Sequence, residues 1–155
     1  MYHTLPQGNS WYGFFPDIPP ELHMNQDTFT RIWNLHPEEK GVFKMMGKEI
    51  PTPRWQQAFG HDYRVSRTDH TAVPLTDPFL IGIMNWVRER HPEMNFNGLL
   101  VNWYLDGHHH IGYHADATTP LVVGSPIYSF SYGATRNFKI KADGEPSINV
   151  PVTHN

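Results

Sequence analysis

Four residues near the middle of the chain carry side chains that can do chemistry, at spacings that let them act together. In LLVNWYL the alternation of a strand puts Leu99, Val101, Trp103 and Leu105 on one face and Asn102 with Tyr104 on the other. An amide and a phenol on one face offer hydrogen bonds to a polar ligand; the alternative is a satisfied core Asn beside a half-exposed Tyr. A few residues later His114 and Asp116 stand two apart, so on an extended backbone both point the same way and can reach one ion. Imidazole plus carboxylate is two-thirds of the two-His-one-carboxylate arrangement that holds ferrous iron while leaving coordination positions open. Alone the pair carries little weight, because chance supplies about 0.6 occurrences of His-x-Asp in a chain with 11 histidines. The adjacent histidines His108 to His110 cannot all face one way on a strand and read as a polar turn rather than a metal site.

The elements that must position these groups follow from spacing and composition. At 155 residues and a formal charge of −3 the chain is long enough for one domain with a real core. It has no cysteine, which excludes disulfides, thiolate nucleophiles and cysteine-based zinc or iron-sulfur sites. The N-terminus lacks a basic region followed by an apolar one, and the longest apolar stretch, around PFLIGIM, is too short to cross a bilayer. The expectation is a soluble intracellular protein, cytoplasmic or nuclear, with no membrane partner. Residues 1–23, rich in Pro, Gly and aromatics without a period, read as an extended arm. Phe29, Ile32, Trp33 and His36 predict a helix capped by Asn25 or Asp27 and ended by Pro37. Asp77 as N-cap, Pro78 in the first turn and the stripe Leu80, Ile83, Met84 and Val87 predict a second, stopped by Pro92. Between them the pattern predicts a hairpin and then a strand. From residue 98 onward GLLVNWYL, HIGYHAD, IYSFSY, TRNFKIKA and SINVPV each read as a strand, so the fold class is α+β with a sandwich or barrel core. Residues 40–67 carry a net +4 within this acidic chain, from Lys40, Lys44, Lys48, Arg54, Arg64 and Arg67 against Glu49 and Asp62. That excess fits either an anionic partner or a solvated hairpin.

In order along the chain, Asn102-x-Tyr104, the Asp106-Gly107 turn, His110-Ile111-Gly112, His114-x-Asp116, Ser125-Pro126-Ile127, Ser129-x-Ser131-x-Gly133 and Arg136-x-Phe138 form a series of short motifs. Upstream stand Pro53-Arg54, the Gly60 turn and Tyr63-x-x-Ser66. Together these resemble the AlkB family of Fe(II)- and 2-oxoglutarate-dependent dioxygenases, in its nucleic-acid dealkylation branch, over roughly residues 40–155. The resemblance implies a double-stranded β-helix, or jelly roll, core with two N-terminal helices. It implies a single domain over 1–155, with a substrate-recognition hairpin and lid at 40–76 and the jelly-roll core at 98–155. It further implies that His114 and Asp116 are iron ligands and that Asn102 and Tyr104 bind 2-oxoglutarate. The implied reaction oxidises a C–H bond of an N-methyl group, which leaves as formaldehyde from a DNA or RNA base. The hairpin, residues 42–56, would probe nucleic acid with Met45 or Met46 near its tip and Lys44, Lys48 and Arg54 near phosphates. Trp55, Tyr63 and Arg136 are further substrate-side candidates.

The sequence also departs from the family pattern. The family's second iron-binding His and the Arg that pairs with the far carboxylate of 2-oxoglutarate have no counterpart before Asn155, and His154 aligns one strand too early to be that His. The expectation is therefore a jelly roll whose last strands are missing. Ala117 and Thr118 stand where repair members place acidic residues, and Val65 where relatives place a stacking aromatic. Two alternatives follow. One is an inactive homologue that binds nucleic acid without chemistry, and the other is an oxygenase on a substrate that is not nucleic acid.

Overall fold

The computed structural model describes residues 2–5, 10–65, 68–116, 122 and 124–155. Ser66, Arg67, Ala117 and Thr118, singled out above, lie outside the described residues, as do the side chains of Lys44, Met45, Arg64 and Val65. Residues 30–128 form one compact unit, and residues 1–29 with 129–155 form another.

In the unit of residues 30–128, local chemistry sets the longer helix. The Asp77 carboxylate accepts from the backbone N–H groups of Phe79 and Leu80 at 2.8 and 3.3 Å, Pro78 occupies the first turn, and the helix α2 runs Pro78–Arg90. Its stripe Leu80, Ile83, Met84 and Val87 is buried as the spacing predicts, each side chain contributing roughly 1.5–3 kcal/mol against exposure to water. The shorter helix, α1, covers Gln26–Trp33 and straddles the two units. Of the two predicted caps it is Asn25 whose side chain accepts, from Thr28 N at 2.9 Å. The helix ends before His36, which lies in the turn that follows.

The strands of this unit pair locally. β3 (Val42–Met45) and β4 (Lys48–Pro51) form the predicted hairpin, turned by Met46 and Gly47, both at positive φ. β5 (Trp55–Phe59) pairs antiparallel with β8 (Leu99–Trp103), and β6 (Tyr63–Val65) with β7 (Thr68–His70). Between β5 and β6, Gly60 adopts φ +84° and donates its N–H to Val73 O at 2.9 Å; a Cβ there would meet Asn97 O at 2.9 Å, so the tight turn excludes any side chain. The Trp103 indole N–H donates to Ile32 O at 2.9 Å. It shares that carbonyl, in the last turn of α1, with the N–H of Leu35 at 3.1 Å.

In the other unit, β1 (Tyr2–Thr4) pairs with β2 (Trp11–Gly13), and β9 (Arg136–Ile140) with β10 (Ile148–Val152). The predicted extended arm is thus a pair of short strands followed by a 3-10 turn at Pro20–Leu22. Leu22, Met24 and Val150 are its buried apolar residues. Asn155 closes the unit by accepting from Met24 N at 2.8 Å through its side chain and from Ile18 N at 3.2 Å through its carbonyl.

The described residues thus make an α+β fold with five two-stranded antiparallel sheets. Three predicted strands, GLLVNWYL, TRNFKIKA and SINVPV, are present as β8, β9 and β10. HIGYHAD and IYSFSY are not strands over their described residues. In the first, His110 and His114 turn their Nδ1 atoms onto the carbonyls of His108 and Gly112. Such local side-chain bonds occupy acceptors that a ladder would need. No helix among the described residues is long and apolar enough to cross a membrane.

Candidate active site

The β5–β8 ladder carries the site. Along β5 and its approach, Arg54, Gln56 and Ala58 are buried while Trp55 and Gln57 are only half-buried, the period of two that a strand imposes. The register sets Gln56 opposite Asn102 and Ala58 opposite Leu100, so these side chains share one face. The face that β8 alone predicts as polar therefore gains Arg54 and Gln56 from its partner.

Arg54 is 7% exposed. Its Nε–H donates to Asn102 Oδ1 at 2.9 Å, and Nη1 reaches His110 O at 3.5 Å. Burial pulls the guanidinium below its ordinary pKa, and the neighbouring Tyr104 opposes that shift. This corrects the expectation that Arg54 faces phosphates, because a side chain so enclosed is not offered to a nucleic-acid backbone. Gln56, also 7% exposed, sets Nε2 2.6 Å from His70 Nε2, and its Oε1 is buried with no hydrogen-bond partner among the described residues.

His70 lies directly across the β6–β7 pair from Tyr63, and Tyr63 leads to the predicted metal pair. Burial first, then the charge of the Asp116 carboxylate and a hydrogen bond to it, hold the Tyr63 phenol above its usual range. His114 Nε2 is 3.3 Å from Asp116 Oδ1, with side chains 29% and 32% exposed. The two predicted ligands come together although the segment is not a strand. His114 Nδ1 is 2.8 Å from Gly112 O. A carbonyl only accepts, so Nδ1 carries a hydrogen and Nε2 is the nitrogen that faces the carboxylate. Two electron-rich atoms at that distance need a proton or a metal cation between them, and an imidazole anchored through its other nitrogen is the form in which histidines bind metals. The donor set fits a divalent cation. Among the described residues, no group of three or more His, Cys, Asp or Glu is arranged to hold a metal ion.

The remaining candidates fall elsewhere. Trp55 is on the opposite face of β5, where it stacks on His36 at 4.6 Å, packs against Trp33 and His109, and lies under Lys40 Nζ at 4.8 Å. Lys40 is thereby engaged in packing. Met46 is 96% exposed at the tip of the β3–β4 turn, and Lys48 beside it is exposed. Arg136 opens β9 in the other unit. His154 Nδ1 accepts from Gly133 N at 3.0 Å. The turn at His108–His110 is confirmed, its shape set by the Asp106 carboxylate, which accepts from the N–H groups of His108 and His109. His109 is the exception within it, buried and accepting from Leu105 N at Nδ1. Gln56 and His70 escaped the sequence reading, since only the strand register reveals that Gln56 faces Asn102. Their one sequence signal is the Arg-x-Gln alternation leading into an apolar strand.

Comparison with known proteins places the chain among relatives of known family. The chain is 39% identical over 98 residues to the Mus musculus protein named DNA oxidative demethylase ALKBH2, covering 61% of this chain and 40% of the relative. The Homo sapiens protein of the same name is 35% identical over 98 residues, covering 61% of this chain and 37% of the relative. The Mus musculus alpha-ketoglutarate-dependent dioxygenase alkB homolog 3 is 30% identical over 105 residues, covering 67% and 36%. The chain thus spans well under half the length of these curated relatives. A family profile described as 2OG-Fe(II) oxygenase superfamily matches residues 26–155, a stretch that contains every polar group of the β5–β8 face and the His114–Asp116 pair. The chain belongs to the 2OG-Fe(II) oxygenase superfamily.

Proposed function

We propose that this chain carries the catalytic core of an Fe(II)- and 2-oxoglutarate-dependent dioxygenase that oxidatively demethylates alkylated bases in DNA or RNA. The observation that carries the reading is the His114–Asp116 pair, with the His114 ring anchored at Gly112 O and Asp116 tied through Tyr63 and its strand partner His70 to Gln56, which faces Asn102. In this reading His114 Nε2 and Asp116 hold the metal, and Asn102 and Tyr104 hydrogen-bond 2-oxoglutarate. The bound metal, with 2-oxoglutarate and dioxygen, supplies the oxidising power that hydroxylates a C–H bond.

The chain's own residues provide the rest. Gly112 O keeps the hydrogen of His114 on Nδ1. Tyr63 donates to Asp116, which restrains the carboxylate and leaves its remaining lone pairs for the metal. The extended 40–76 segment serves as substrate-recognition hairpin and lid, with Met46 as an apolar wedge and Lys48 near phosphate. Two relatives bear the name DNA oxidative demethylase, which supports a nucleic-acid substrate. The family match supports a jelly-roll core.

The test is an anaerobic titration of the chain with Fe(II) and 2-oxoglutarate, following the metal-to-ligand charge-transfer absorption. A band that His114→Ala abolishes is expected, together with succinate and formaldehyde from an N-methylated oligonucleotide in air. A band that survives His114→Ala would refute the metal assignment, and turnover confined to free small molecules would refute the substrate class.

A further inference from the structure

Arg54 is the most enclosed cation of the described residues that has no carboxylate paired with it among them. A buried guanidinium in that position is costly unless something answers its charge and its hydrogen-bonding capacity. The backbone holds it there deliberately. Thr52 Oγ1 donates to Arg54 O at 2.9 Å, and His110 N donates to Pro53 O at 2.9 Å. The carbonyls of Arg54 itself and of Pro53 before it are thus anchored where the side chain extends across the face toward β8.

What the side chain does there is specific. The Arg54 Nε–H bond to Asn102 Oδ1 at 2.9 Å fixes which end of that amide is oxygen, because a guanidinium only donates. With its oxygen occupied, Asn102 is left with its NH2 group to offer. The local result is a donor-rich end of the site with a positive charge behind it, which suits an acidic ligand. The fork geometry matters as well as the charge: a lysine ammonium is a point donor on a flexible stem and does not hold an amide in one plane.

We propose that Arg54 is a positioning residue for the acidic co-substrate: it orients the Asn102 amide so that its NH2 group faces a carboxylate-bearing ligand, and its buried charge selects a dicarboxylate of the 2-oxoglutarate class. This rests on the reading of Asn102 and Tyr104 as co-substrate ligands given above. It assigns to Arg54 a role toward the co-substrate in place of a role toward nucleic-acid phosphate.

The experiment is calorimetric titration of the chain with 2-oxoglutarate in the presence of Mn(II), compared across wild type, Arg54→Lys, Arg54→Met and Asn102→Asp, with Mn(II) affinity measured separately by electron paramagnetic resonance. Arg54→Met and Arg54→Lys are both expected to weaken 2-oxoglutarate binding roughly ten- to a hundredfold, the scale of one lost charge-assisted hydrogen bond, while Mn(II) binding without 2-oxoglutarate stays unchanged. Wild-type affinity in Arg54→Lys would show that charge alone suffices and overturn the positioning role. Wild-type affinity in Arg54→Met would overturn both parts. If either variant loses its cooperative unfolding transition, Asn102→Asp decides. It keeps an acceptor for Arg54 but removes the amide donor, so 2-oxoglutarate affinity should fall while the Arg54 Nε–H resonance persists in a 15N spectrum. Retained affinity, or a lost resonance, would overturn the proposal. Failure of the wild type to bind 2-oxoglutarate at all would instead refute the co-substrate reading itself, and the proposal with it.

Discussion

Asp77 offers a prediction in which two effects of one carboxylate can be separated. Its Oδ1 caps α2 through Phe79 N and Leu80 N, while its Oδ2 accepts from Arg31 Nε at 2.7 Å. Replacing an N-cap acceptor by alanine costs about 0.5–2 kcal/mol, and the upper part of that range applies because the Asp77 side chain is only 8% exposed. The Arg31 side chain is 45% exposed, so solvent screens the ion pair and the cap dominates. Asp77→Ala should therefore destabilise by about 1–2 kcal/mol and lower Tm by roughly 2–8 °C for a chain of this length. Asp77→Asn, which keeps the capping oxygen and loses only the charge, should cost less than half as much. Burial alone would push the Asp77 carboxyl up, but Arg31 and the two backbone N–H groups outweigh it and hold the carboxyl below its usual range. A depressed carboxyl stabilises the fold above its unfolded pKa, near 3.9, and loses that contribution as pH falls through the folded value. The gap between wild type and Asp77→Ala should be full at pH 7 and shrink below about pH 4. Urea unfolding followed by circular dichroism at several pH values measures it. Equal costs for the Asn and Ala variants would refute the dominance of the cap, and a gap constant down to pH 3 would refute the carboxylate as its source.

Gly60→Ala combines a positive φ with a Cβ 2.9 Å from Asn97 O, and should cost about 1–3 kcal/mol in the same assay; a neutral result would mean the β5–β6 turn is not held in this geometry. Met46 sits at φ 51° with its side chain 96% exposed, so Met46→Gly should raise stability by about 1 kcal/mol by relieving left-handed strain. The same change should weaken duplex binding measured by fluorescence anisotropy, and unchanged binding would remove Met46 from the proposed nucleic-acid contact.

The site was legible in sequence to the extent that its chemistry is local. His114 and Asp116 stand two residues apart, and the pair meets even though its segment forms no strand; Asn102 lies in β8 and Tyr104 just past its end. The second helix was legible for the same reason. Its cap, its first-turn proline and its apolar stripe lie within 11 residues, and all four stripe residues are buried. The strand pattern was less reliable. Period-two alternation marks segments able to join a sheet, but a ladder exists only where a partner edge arrives, and HIGYHAD and IYSFSY form none over their described residues.

The amino-acid order alone therefore determined where the second helix starts and stops and where the β3–β4 hairpin lies, because each depends on neighbours within a few residues. Tertiary structure decided which way the cations and aromatics face. Arg54 and Trp55 are adjacent, yet the pairing of β5 with β8 sends Arg54 to Asn102 and Trp55 to His36 and Lys40 on the other side. A strand turns successive side chains to opposite faces, and only its partner strand fixes which face holds the chemistry.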